Sequence, residues 1–62
     1  MNELAPRQRE IAGLVAEGLT EAEIAERLSI TRNTVKNHKT IVYRKLGVRN
    51  AVELTLALEA AR

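Results

Sequence analysis

Two glycines, each followed two or three residues later by a helix-starting signal, constrain this chain more than anything else in it. Gly18 precedes Thr20-Glu-Ala-Glu23, and Gly47 precedes Asn50-Ala-Val-Glu53. In each tetrad the first side chain can accept from the backbone N–H three residues on while the Glu reaches back, the capping box that opens a helix. Glycine just ahead is the residue type that closes the previous helix in the left-handed conformation. Pro6 suits a first helical position, where its missing N–H costs nothing. Thr31, after the tight Ser29-Ile30 connection, can cap a further helix. This punctuation predicts four helices: one from Pro6 to Gly18, one opened by Thr20, a third from Arg32 to Leu46 and a fourth from Asn50 to about Ala61. Ile11, Leu14 and Val15 share a face of the first, and Ile24, Ala25 and Leu28 a face of the second. Nothing alternates with period two for more than a few residues, so no strand competes. The expected fold class is all-α, a single compact domain over residues 1–62 without linkers or repeats.

Sixty-two residues bury a small fraction of their surface on folding, so such a core needs a staple or a partner. Cysteine is absent, and His38 is the one histidine, which leaves neither a disulfide nor a practical zinc site. No metal or other cofactor is expected. An enzyme is not expected either: one His, one Ser (Ser29), no Cys and no glycine-rich phosphate loop leave little from which to build a catalytic constellation. Tyr43 is the one aromatic residue, too few for a platform that stacks single-stranded bases. Apolar runs are far short of the ~20 residues of a membrane span, and no signal peptide pattern opens the chain. A cytoplasmic, membrane-free location is the expectation.

The formal charge of +2 conceals a division. Residues 1–26 sum to −4, residues 27–49 to +7 with no acidic residue among them, and residues 50–62 to −1. An acidic half is joined to a strongly basic one. That pattern fits the electrostatic footprint of a polyanion-binding face, and taken alone it fits a solvated charged helix equally well.

Helix spacing separates the two. About three residues divide the second helix from the third, the connection of a helix-turn-helix (about residues 20–46) whose second helix enters the DNA major groove. At about 100° per residue, Val35, Val42 and Leu46 form a core stripe, whereas Asn33, Lys36, Asn37, Thr40 and Arg44 gather on the opposite side. That side is all donors and acceptors with no acid. Lys and Arg reach guanine or phosphate, Asn pairs with adenine, and Thr meets a base edge or a thymine methyl.

The segment from Glu3 to Asn50 resembles the C-terminal DNA-binding domain of the LuxR type, found in quorum-sensing regulators and NarL-type response regulators. The run TVKNH (Thr34 to His38), KLGV (Lys45 to Val48), the EGLT and EIA signatures around Gly18 to Ala25, and the Pro6-Arg7 pair carry the likeness. The resemblance implies a four-helix fold, sequence-specific double-stranded DNA binding, and transcriptional regulation in bacteria. It places Lys36, Asn37 and Thr40 nearest base edges, and Thr20, Thr31, Thr34, Arg44 and Lys45 on the phosphate backbone. Lys39 stands where the family usually has an apolar residue, and its expected role is to lay its stem on the core while its ammonium snorkels to phosphate. Ala5 and Gln8 stand where the family commonly has Thr and Glu, which removes a side-chain cap at an expected cost of about 1 kcal/mol. For His38, burial and phosphate contact stay open; Ile41 lies near the DNA-facing side.

The fourth helix is apolar on two sides, with Val52 and Leu56 on one and Leu54, Leu58 and Ala61 roughly opposite. A helix of that kind wants two partners. The expectation is that Leu54, Leu58 and Ala61 meet a second copy, giving a two-fold dimer on a palindromic site. The main alternative in function is a protein-interaction module in which the same helix-turn-helix docks a transcription partner such as RNA polymerase.

Overall fold

In the computed structural model, which describes residues 4–60, the helices are α1 (Pro6–Ala16), α2 (Glu21–Leu28), α3 (Arg32–Leu46) and α4 (Ala51–Ala60). No strand occurs among the described residues. The all-α, four-helix expectation holds, with boundaries within two residues of those read from the caps.

Three of the helices stop in the same way. Gly18 (φ 95°), Ser29 (φ 58°) and Gly47 (φ 67°) take the left-handed conformation. In each case the next residue's N–H returns to a carbonyl five residues back: Leu19 to Leu14 at 3.2 Å, Ile30 to Ala25 at 3.0 Å and Val48 to Tyr43 at 3.0 Å. These bonds satisfy carbonyls the helix end would leave unpaired. The residue that turns back is apolar each time, and Leu19, Ile30 and Val48 all pack against the core. One local device thus ends the helix and ties the connection to the interior.

The starts are equally specific. Thr20 Oγ1 accepts from Glu23 N–H at 3.1 Å, and Glu23 Oε1 accepts from Thr20 N–H at 2.8 Å. At α4, Asn50 Oδ1 accepts from Glu53 N–H at 2.9 Å, but Glu53 Oε1 takes the N–H of Arg49 instead, at 2.8 Å. At α1 only the returning half survives: Ala5 has no side-chain acceptor, while Gln8 Oε1 accepts from Ala5 N–H at 3.1 Å. The hydroxyl expected to be missing is missing, and the glutamine keeps the other half.

Leu4, Ile11, Ala12, Leu14, Val15, Ile24, Ala25, Val35, Val42 and Leu54 form one core, with Leu28, Leu46 and Leu58 packed on its edge. Helix α3 lies against both α1 and α2, and α4 packs on α1 and α3. The fourth helix corrects the sequence reading of its two faces. Leu54 is fully buried and Leu58 packs beside it, whereas Val52 and Leu56 are 70% and 60% exposed. Leu54 therefore cannot meet a second copy, because its side chain already closes this domain's core. Ala61 lies outside the described residues.

Candidate nucleic-acid interface

Helix α3 is positioned by what it buries. Val35 and Val42 are fully buried in the core that α3 shares with its neighbours, and Leu46 packs against the same core. That arrangement turns Arg32, Asn33, Lys36, Asn37, Thr40 and Arg44 out to solvent, and all six are exposed. The three residues expected nearest base edges, Lys36, Asn37 and Thr40, are thus brought to one ridge together with Arg44. At about 22 Å long and 10–12 Å across, a fifteen-residue helix matches the width of the DNA major groove.

Hydrogen bonds within the domain fix which groups on this ridge remain available. Thr40 Oγ1 donates to the Lys36 carbonyl at 3.0 Å. Its proton is spent inside the helix, so the side chain offers outward an acceptor and a methyl, which suits an adenine or cytosine amino group or a thymine methyl. At the start of α3, Thr31 Oγ1 accepts from Thr34 N–H at 3.1 Å, and the two hydroxyls lie 2.8 Å apart. One hydroxyl proton serves that pair and the other is free for a phosphate oxygen. Thr20 has given its N–H to Glu23 but keeps its hydroxyl proton.

Two lysines have partners within the domain. Lys45 Nζ donates to Gln8 Oε1 at 3.1 Å, joining the last turn of α3 to the first turn of α1. The same glutamine oxygen also caps α1, so one side chain holds both ends of that junction. Lys39 departs from expectation. Its ammonium lies 5.9 Å from the centre of the Tyr43 ring. The charge, however, turns to Glu21 Oε2 at 3.0 Å, each side chain about 30% exposed, instead of pointing out toward a phosphate. The hydrogen bond and charge of Lys39, with further help from Lys36 and Arg32, hold the Glu21 carboxyl below the usual carboxylate range. Sequence reasoning missed Glu21: it read the residue as part of a capping signal, and no local pattern links it to a lysine eighteen positions on.

His38 is half-buried, and its Nδ1 is enclosed without a hydrogen-bond partner among the described residues. Ile41 is half-buried beside Asn37 on the helix, apart from the main core. Glu17, Glu23, Glu26 and Arg27 line a depression of about 480 Å³ at the α1–α2 connection, to which α3 contributes nothing. Among the described residues no group of acidic, histidine or cysteine side chains could hold a metal ion, and no helix is long and apolar enough to cross a membrane.

Known proteins share this arrangement. The model of the luxR family of bacterial regulatory proteins matches residues 2–58. The two-component response regulator PprB of Pseudomonas aeruginosa is 47% identical over 58 residues, 94% of this chain and 21% of that protein. The nitrate/nitrite response regulator protein NarL of Escherichia coli is 39% identical over all 62 residues and 29% of its own length. In the crystal structure of the response regulator ChrA, from a heme-sensing two-component system, 31% of that chain superposes on all of this one with a TM-score of 0.91 and 34% identity. The chain therefore spans less than a third of the length of each of these relatives. With the family model spanning nearly every residue and the helix-turn-helix in place, the chain belongs to the luxR family of bacterial regulatory proteins.

Proposed function

We propose that this chain binds double-stranded DNA sequence-specifically, with α3 in the major groove, and in doing so regulates transcription in the bacterial cytoplasm. The observation that carries the reading is the solvent-facing ridge of α3, where Arg32, Lys36 and Arg44 alternate with Asn33, Asn37 and Thr40 and no acid intervenes. Lys36, Asn37 and Thr40 read base edges. Thr20, Thr31, Thr34, Arg44 and Lys45 hold phosphates and set the register of the helix in the groove.

Val52 and Leu56 support pairing of two copies through α4. A two-fold contact covers Val52 and Leu56 of both copies, four side chains worth at most roughly 1.5–3 kcal/mol each, a gain of the same order as the 4–15 kcal/mol that association of free partners costs. Two copies therefore pair weakly when free and firmly when a duplex holds them side by side and raises their effective concentration. The target is a palindrome whose half-sites place two α4 helices face to face.

Selection of bound duplexes from a random pool tests all of this at once. The expected product is an inverted repeat bound with steep salt dependence. Recovery of no preferred sequence, or an affinity indifferent to salt, overturns the reading, since phosphate contacts release counterions. A protein that ignores duplexes but captures the transcription machinery would establish the interaction-module alternative.

A further inference from the structure

Glu21 sits where a DNA-binding surface gains least from a carboxylate. It is the first residue of α2, next to Thr20, whose free hydroxyl proton is assigned above to a phosphate. Its Oε2 lies 3.0 Å from Lys39 Nζ, and the charges of Lys36 and Arg32 also act on it. It is thus an anion standing within the basic field of the recognition helix. Lys39 is held ready by the Tyr43 ring beneath its ammonium, yet its charge is already answered from within the domain. Both partners are about 30% exposed, so water screens the pair and separating it is cheap. A phosphate of the duplex, arriving beside Thr20, meets the same ammonium.

We propose that Glu21 is a built-in competitor of the DNA backbone: its carboxylate occupies Lys39 in the free domain and surrenders it to a phosphate in the complex, which lowers the affinity for duplexes of any sequence. The device rests on the DNA-binding reading above and adds to it a brake on non-specific binding. Non-specific affinity is almost entirely phosphate electrostatics, so the cost of parting Lys39 from its carboxylate weakens it directly. Base contacts made by Lys36, Asn37 and Thr40 are untouched, and a cognate duplex has them in addition.

Duplex of mixed sequence is a sufficient probe, so the test needs no knowledge of the target. Binding of the wild-type chain, Glu21→Gln, Lys39→Met and the double variant is measured by fluorescence anisotropy between about 50 and 200 mM salt, with far-ultraviolet circular dichroism showing that each retains its helices. Glu21→Gln is expected to bind about five-fold tighter at the low-salt end with the slope of log K against log salt nearly unchanged, because Lys39 neutralises the same phosphate in both complexes, whereas Lys39→Met should flatten that slope by about 0.9. In the Lys39→Met background the same change should gain much less and leave the slope unaltered. An equal gain in both backgrounds would reduce Glu21 to simple repulsion and overturn the exchange, as would no gain at all. A wild-type chain that shows no salt-dependent duplex binding fails the DNA-binding reading itself, a result distinct from either.

Discussion

Helices α3 and α4 each bury one side and expose another, and the two exposed sides differ in kind. On α3 the outward side is a polar ridge from Arg32 to Arg44, built on the buried Val35 and Val42. On α4 it is apolar, Val52 and Leu56, built on the buried Leu54. Exposed apolar groups gain nothing from water, whereas exposed Lys and Asn lose nothing there. The ridge is therefore complete as a solvated surface and becomes a binding face only when a duplex arrives, while the α4 face remains unsatisfied until another apolar surface covers it. The first speaks of recognition and the second of assembly.

The sharpest way to break this division is to exchange the roles assigned within α4. Leu54→Ala removes a fully buried side chain and should cost about 2–5 kcal/mol of folding stability, enough to unfold much of a domain this small. Leu56→Ala, at a site 60% exposed, should change stability by no more than about 0.5 kcal/mol. Thermal unfolding followed by circular dichroism compares them, and similar losses would show that the assignment of inside and outside is wrong.

Next in size are the changes on α3. Lys36→Ala and Asn37→Ala should each cost about 1–3 kcal/mol on the preferred duplex and relax the choice of base at one position. Lys45→Ala should weaken all sequences about equally, with an added loss at the α1 junction where Lys45 meets Gln8. Competition among duplexes with single base changes separates the two patterns. None of these variants should alter self-association.

Leu56→Lys probes the other face. It should leave the affinity for a single half-site unchanged while removing roughly tenfold from binding to the full palindrome, about 1.4 kcal/mol. Titration of half-site and full-site duplexes side by side is the measurement. Equal effects on both would detach α4 from assembly.

How much of this was legible in the residues depends on whether a signal is local. Gly18 and Gly47 announce left-handed stops because glycine alone adopts that conformation freely. Ser29 makes the same turn at φ 58° and announces nothing, since serine is common in many other settings. The ridge of α3 was legible because its two sides differ in polarity, so periodicity alone orients the helix. On α4 both sides are apolar, and no periodicity chooses between them. The choice was made by packing: Leu54 fills the space left among α1 and α3, a property of three helices together. Lys39 and Glu21 were likewise out of reach, because a pair joining two helices across a turn leaves no mark at helical spacing.

That pair supplies the smallest expected effect, and it bears on whether the ridge is as free of acid in behaviour as it is in composition. Because the Glu21 carboxyl is held below its ordinary range in the folded domain, the folded state binds its proton less readily than the unfolded state does. Its contribution to stability is then fully present above the unfolded value near 4.5 and is lost as pH falls through the lower folded value. With both side chains about 30% exposed, the effect is screened and small. Glu21→Gln should slightly flatten the acid limb of the stability curve below about pH 4.5 and leave the neutral region nearly unchanged, as urea titrations at stepped pH can show. A flattened limb in Glu21→Gln that is reproduced by Lys39→Met assigns the effect to the ion pair. An acid limb unaltered by either substitution would mean that Lys39 spends its time away from Glu21 in solution, with its charge presented on the ridge beside Lys36.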